Sequence, residues 1–220
     1  MDAISVLIRR TEILVDIELN ELVNKFPDDT EIADNIRITL AAQTAGIKLM
    51  IEDKLRLNQI AINPDNRLCW TGNAVLCALT GKARRREAKF SIAWGNKHVL
   101  NTTANSPLSN KTNENTVLLG LVALINQIIL LQLKKVIILT AHSSAALSYN
   151  SLENAKAAGY ADMNREKLKD ANILQMLYEL KSKHDIKIEI RVHLPSEPAM
   201  GEPFDRLLNT AKSQLDEALA

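Results

Sequence analysis

The sequence has little cysteine and little glycine, and both shortages exclude classes of protein. Its 2 cysteines, Cys69 and Cys77, have no further cysteine or histidine near them at the spacing of a zinc finger. They predict neither a disulfide framework nor a structural zinc site. Only 7 glycines are present, and none lies in a glycine-rich loop that would cradle phosphate groups. We therefore expect no cofactor and no bound metal ion.

The chain also lacks an excess of charge and an unbroken hydrophobic run. Its 27 basic and 26 acidic side chains leave a formal charge of +1, which gives no overall attraction to nucleic acid or to a membrane surface. The most apolar segment, residues 117–133, is interrupted by Gly120, Asn126 and Gln127, and no basic leader precedes an apolar run at the start. We expect an intracellular protein without a membrane segment, and the sequence does not distinguish nucleus from cytoplasm.

Two amphipathic helices are predicted in the first 60 residues. Apolar side chains recur every three or four positions through residues 3–26 and 31–57, and Pro27-Asp28-Asp29-Thr30 separates the two segments. Such segments carry more apolar surface than two helices bury against each other, so a partner surface is expected. The partner is the rest of this chain, a second copy or another protein. The predicted interface residues are Ile8, Val15, Leu19, Leu22, Ile36, Leu40, Ile47 and Ile51.

After a connector-like stretch at residues 58–73, the pattern changes to strands and helices. The predicted strands are 74–81, 89–95, 98–106, 135–141 and 186–194, and the predicted helices are 113–133, 143–158, 164–183 and 203–219. The first three strands form an antiparallel meander, and Thr112 or Asn113 caps the long helix. The predicted order is βββαβααβα, an α/β fold with a mixed five-stranded sheet and flanking helices.

Four phrases within residues 74–215 resemble the ribonuclease H family in their order along the chain. They are SIAWG in the second strand, NKTNENTV before the long helix, KVIILTAHS at the fourth strand, and RVHLPSEPAMGEPFDRLLNTA at the last strand, loop and helix. The resemblance implies a ribonuclease H-like domain over residues 61–220, with the helical hairpin of residues 1–60 as an extension. Because such domains follow other domains in retroelement polyproteins, it also implies a retroelement-derived chain.

Catalysis in this family uses two divalent metal ions held by a cluster of carboxylates, and most of that cluster is missing here. Where the resemblance implies the first aspartate the sequence has Thr80, and an alternative register at Thr71 offers no carboxylate either. Val117 stands at the glutamate position and Ala141 at the next aspartate position. Only Asp205 is retained, and we favour a helix-capping or solvent-facing role for it over that of a leftover metal ligand.

The basic run of residues 82–89 is the strongest local charge feature. It falls in the turn between the first two strands, the edge from which enzymes of the resembled family approach a nucleic-acid backbone. The candidate contacts to RNA or to an RNA–DNA hybrid are Lys82, Arg84, Arg85, Arg86 and Lys89. A solvated hairpin tip is the plainer interpretation, because few aromatic side chains stand nearby for base stacking.

Together these features predict a catalytically inactive ribonuclease H-like module that acts as an interaction scaffold or adaptor in a larger protein or ribonucleoprotein assembly. The alternative is a metal-dependent nuclease acting on RNA or an RNA–DNA hybrid with a non-standard carboxylate set, Asp205 with Glu202, Glu197 and Glu114. A hydrolase centred on His142 and Ser143 is disfavoured, because adjacent side chains rarely face each other and no Gly-x-Ser-x-Gly elbow is present.

Overall fold

The computed structural model describes residues 68–84, 87–96, 98–108, 111–194 and 196–220. The two predicted amphipathic helices, all eight of their interface residues and the predicted domain boundary at residue 60 lie outside these ranges, so they stay predictions.

A six-stranded mixed sheet with helices on both faces organises the described residues. The strands are β1 (Cys69–Thr71), β2 (Ala74–Arg84), β3 (Glu87–Ala93), β4 (Thr102–Asn105), β5 (Lys135–Thr140) and β6 (Lys187–Val192). The helices are α1 (Asn113–Leu130), α2 (Ser143–Asn150), α3 (Leu152–Ala157), α4 (Ala171–Lys183) and α5 (Phe204–Ala218). In the order β4-β3-β2-β5-β6, the first three strands are antiparallel and the last three are parallel, and β1 pairs antiparallel with β2.

Two apolar layers cover the sheet because side chains alternate between the two faces of each strand. On one face, Cys77 and Leu79 of β2 belong to the larger core cluster, which also includes α1 and α4. On the other face, Leu76 and Ala78 pack with the buried side of α5. By length and composition α1 is apolar enough to cross a membrane, but 72% of it is buried within the protein. It is the central helix of the core.

The sequence of α1 explains both where it starts and how closely it approaches the sheet. Thr112 caps the helix, since its side chain accepts from the Asn115 N–H while the Asn115 side chain accepts from the Thr112 N–H. Gly120 faces the sheet, and a Cβ atom there would lie 2.8 Å from Leu79 Cδ1 and 2.9 Å from Phe90 Cγ. Only glycine allows the helix to lie at this distance.

The sheet has one strand more than predicted. The additional strand, β1, forms within residues 58–73, which the sequence predicts to be a connector. It is three residues long and turns directly into β2 through Gly72, which has a φ of 58°. The predicted third strand, 98–106, is shortened to β4 because residues 98–101 form a turn. In that turn the Asn101 N–H donates to the His98 carbonyl at 3.0 Å, and the Leu100 N–H donates to His98 Nδ1 at 3.1 Å.

Two predicted helices differ from those observed. The helix predicted over 143–158 is divided into α2 and α3 at Ser151, whose side chain hydroxyl donates to the Leu147 carbonyl. The helix predicted over 164–183 starts only at α4, because residues 158–170 form a loop. Asp162 stabilises that loop by accepting the backbone N–H groups of Asn164 and Glu166, and local side-chain bonds of this kind compete with helix formation.

Candidate functional site

The carboxyl end of β5 lies beside the middle of β2, at the point where the resemblance implies a metal-binding cluster. The two strands are parallel neighbours whose pairing ends with Ala78 opposite Leu139, while β2 continues to Arg84. Thr80 Oγ1 of β2 lies 3.4 Å from His142 Nε2 in the turn after β5, and the Gly81 N–H donates to the same nitrogen at 3.4 Å. Among the side chains of the turn after β5, that of His142 therefore contacts Thr80.

Helix α1 contributes an apolar side chain to this place. Val117 is fully buried, and a Cβ atom on Gly81 would lie 2.8 Å from Val117 Cγ2 and 3.3 Å from Thr116 Cγ2. The helix therefore lies close against the β2 backbone where the resemblance implies a glutamate. Three of the predicted positions, Thr80, Val117 and the turn that contains Ala141, come together here, and none of them carries a carboxylate.

The surroundings of His142 favour its neutral form. Burial lowers the pKa of its imidazole below the ordinary value, because desolvation disfavours the charged form. A backbone N–H can only donate, so the contact with Gly81 places a lone pair on Nε2 and the ring proton on Nδ1. A neutral imidazole, a threonine hydroxyl and a valine hold no preorganised pair of metal ions.

Sequence reasoning placed the missing aspartate at Ala141 and gave His142 no role beside Thr80. Residue 142 is the N-cap of α2, with extended backbone angles, and its N–H donates to Thr140 Oγ1 at 3.2 Å. Serine is preferred at the N-cap itself, so the sequence points to Ser143 as the cap and gives no signal that His142 occupies this position. The direction of the His142 side chain could not be predicted either.

The Asp205 carboxylate accepts hydrogen bonds from two backbone N–H groups. Its Oδ1 accepts the Met200 N–H at 3.1 Å and its Oδ2 accepts the Gly201 N–H at 2.7 Å, which fixes the loop before α5. Asp205 therefore bonds the preceding loop and does not cap the helix, whose N-cap is Pro203 without a side-chain cap bond. The resemblance also implies that Asp205 approaches Thr80, Val117 and Ala141, which stays a prediction.

Two of the other three acidic residues of the alternative nuclease, Glu202 and Glu197, also have local partners. Glu202 pairs with Arg206 at 3.4 Å, and Glu197 accepts the Leu194 N–H at 2.8 Å and lies 3.4 Å from His193 Nδ1. Glu114, in the first turn of α1, lies near Asp170 at the start of α4. The pKa of Asp170 is raised by burial and, to a smaller extent, by the Glu114 charge. Within the described ranges, no three His, Cys, Asp or Glu side chains are grouped to hold a metal ion.

Basic side chains of the β2–β3 hairpin contact the C-terminal end of α5. Lys82 Nζ lies 3.3 Å from Asp216 Oδ1, Arg84 Nη1 donates to the Leu219 carbonyl at 3.0 Å, and Lys89 Nζ donates to the Ala218 carbonyl. The carboxyl end of a helix carries partial negative charge, and α5 has no basic residue in its own last turn. Three of the five candidate nucleic-acid contacts therefore stabilise the C-terminus of α5, while Arg85 and Arg86 lie outside the described residues.

The fold that presents this site is ribonuclease H-like: an antiparallel meander, a long core helix, two further parallel strands and a closing helix on the opposite face. Similar solved structures include the ribonuclease H domain of prototype foamy virus, with 16% identity, a TM-score of 0.44, and 65% of this chain and 93% of that chain covered. The N-terminal ribonuclease H domain of a Mycobacterium tuberculosis protein gives 16%, a TM-score of 0.39, and coverages of 67% and 100%. A ribonuclease H1 of Halobacterium salinarum gives 16%, a TM-score of 0.38, and coverages of 63% and 97%. No protein-family model and no curated protein sequence matches the chain.

Proposed function

We propose that this protein is a catalytically inactive ribonuclease H-like module that acts by binding, as a scaffold or adaptor in a larger protein or ribonucleoprotein assembly. The observation that carries the proposal is the contact of Thr80 and Gly81 with His142 and Val117, where β5 ends beside the middle of β2. A two-metal nuclease needs carboxylates at this place to activate water and to stabilise the leaving oxygen. A neutral, partly apolar contact supplies neither function.

The interaction element of this module is the segment of residues 3–57. Its two apolar stripes, centred on Leu19 and Leu40, exceed what two helices bury against each other. The partner surface belongs to the rest of this chain, to a second copy or to another protein. A retroelement polyprotein is the proposed origin, since the resemblance places such domains behind other domains.

The alternative, a nuclease built on Asp205, Glu202, Glu197 and Glu114, gains no support from the described residues. Asp205 is bonded to two backbone amides, Glu202 and Glu197 have basic neighbours of their own, and Glu114 lies beside a different carboxyl group. Recruiting the four to metal ions requires breaking most of these contacts.

A cleavage assay separates the two functions. The purified full chain and its Asp205→Ala variant are incubated with an end-labelled RNA–DNA hybrid in Mg²⁺ or Mn²⁺, and the products are resolved on a denaturing gel. We expect no cleavage by either protein. Equal cleavage by both shows an activity that does not depend on Asp205 and so excludes the nuclease built on that residue, whereas cleavage by the wild type that is lost in Asp205→Ala overturns the proposal in favour of the nuclease.

A further inference from the structure

Trp70 stands at the outer end of an apolar row that crosses the sheet. In the strand register, Trp70 pairs with Val75, Val75 with Val136, and Val136 with Ile188. Val75 and Val136 are fully buried beneath α1, and Ile188 packs against the same core cluster. Trp70, by contrast, is 58% exposed. The row thus ends in an indole that the described residues leave more than half uncovered.

Strand geometry places this indole on the face that α1 covers. Cys69 packs against the opposite layer, under α5, while Leu68 packs against the α1 cluster. Because side chains alternate along a strand, Trp70 shares the face of Leu68. The exposed indole therefore extends the apolar layer between the sheet and α1 as far as β1.

Trp70 differs in kind from the other exposed apolar side chains. Leu147 and Met163 are also exposed, on α2 and on the loop before α4, but single aliphatic residues on a surface are ordinary. An indole is the largest apolar side chain, and one that extends a buried row marks a surface where another element packs.

We propose that the amphipathic segment of residues 3–57 docks on Trp70 of its own chain and completes the apolar layer there. The inference rests on the proposed role of this segment as an interaction element, and it names the surface of the module that receives it. The segment carries apolar stripes in need of a surface, and Trp70 follows it closely along the chain.

The covalent connection favours this occupant over a second copy. Residues 58–67 join the segment to β1, and an extended chain of that length reaches about 35 Å, at roughly 3.5 Å per residue. A tether of this kind gives an effective concentration on the order of millimolar, well above ordinary protein concentrations. Docking within the chain therefore outcompetes docking between chains.

Tryptophan fluorescence of the full chain tests the docking. Trp70 and Trp94 are the 2 tryptophans, and Trp94 is fully buried with its indole N–H donating to Gln127 Oε1 at 2.7 Å. Subtracting the spectrum of Trp70→Phe from that of the wild type isolates the Trp70 signal. We expect blue-shifted emission and protection from acrylamide in the wild type. The paired changes Leu19→Glu and Leu40→Glu should shift the Trp70 emission to longer wavelength and increase its quenching.

The matched control is Glu12→Lys, a charge change in the same segment but off its apolar stripe, which should leave the Trp70 signal as in the wild type. Unchanged Trp94 emission shows in every variant that the module is still folded. A Trp70 that is exposed in the wild type, or that does not respond to the two glutamates, overturns the docking. Protection that appears only with a doubled mass in light scattering overturns it in favour of a second copy.

The fluorescence result is independent of the result of the cleavage assay. If Trp70 is not protected, the docking is wrong, but the module can still be inactive and bind a partner through another surface. If cleavage depends on Asp205, the proposed function is wrong, but the environment of Trp70 is unchanged.

Discussion

His142 connects the middle of β2 to the start of α2 through a ring nitrogen that accepts a hydrogen bond only when it is unprotonated. The Gly81 N–H and the Thr80 hydroxyl both lie 3.4 Å from Nε2, and protonation replaces that acceptor with a donor facing the Gly81 N–H. Burial already lowers the pKa of the ring from its ordinary 6.5. The residue that contacts Thr80 and Gly81 thus has a structural role that depends on pH.

The stability of the protein should therefore decrease as the pH falls below 6.5, the ordinary pKa of the histidine. Above that pH both folded and unfolded states hold His142 neutral; below it the unfolded state takes up a proton before the folded state does, so the free energy of unfolding declines until the folded pKa is passed. His142→Gln keeps an acceptor that does not titrate, so it should flatten this decline. Urea denaturation between about pH 5 and 8, where histidine titrates, measures it.

His184→Gln, at the C-cap of α4, controls for the loss of a histidine as such. Equal pH slopes in the wild type and in His142→Gln would show that the Gly81 contact does not control stability. His142→Ala should reduce stability by about 1–3 kcal/mol even at pH 8, because it leaves the Gly81 N–H without its acceptor.

At the scale of elements, the packing of α1 on the sheet depends on Gly120. Gly120→Ala should destabilise the protein by about 1–3 kcal/mol, because the new methyl group overpacks Leu79 and Phe90. Helix propensity alone predicts the opposite sign, a gain of about 1 kcal/mol. Thermal or urea denaturation decides between the two. Asn126→Ala, at a partly exposed position of the same helix, is the matched control, and a stabilising Gly120→Ala would mean that the helix moves away freely.

The same scale shows how much of the molecule could be predicted from the sequence. The long apolar run of α1, the branched residues of β5 and the amphipathic pattern of α5 each carry a strong local signal, and all three elements form where predicted. Strand β1 is too short to have a pattern, and the loop before α4 depends on local bonds of Asp162 that compete with a helical periodicity. At the candidate site the positions of Thr80 and Val117 were implied by the resemblance to the ribonuclease H family. Which side chain of the turn reaches Thr80 did not, because a shift of one residue reverses the side-chain direction.

At the scale of the whole molecule, positive and negative charges nearly balance, so the electrostatic effects come from local groups of charged side chains. The formal charge is +1, and three cations of the β2–β3 hairpin contact the end of α5. Arg84 and Lys89 donate to its carbonyl groups, which carry partial negative charge, and Lys82 pairs with the Asp216 carboxylate. The hairpin thereby holds the closing helix against its face of the sheet. Any affinity for a phosphate backbone must come mainly from the remaining cations of the run, Arg85 and Arg86.

Two sets of substitutions should therefore separate folding from binding. Lys89→Ala removes a charged donor from the Ala218 carbonyl and should lower the free energy of unfolding by about 1 kcal/mol, measured by urea denaturation.

Arg85→Ala with Arg86→Ala should instead weaken binding to a labelled RNA–DNA hybrid and reduce the slope of log K against log salt by about 0.9 for each phosphate that is no longer neutralised. Fluorescence anisotropy at several salt concentrations gives both quantities, and the urea midpoint of the double variant controls for folding. A wild type without affinity for hybrid, duplex or single strands at low salt would exclude nucleic acid as a partner of this surface, because electrostatic binding is strongest under that condition.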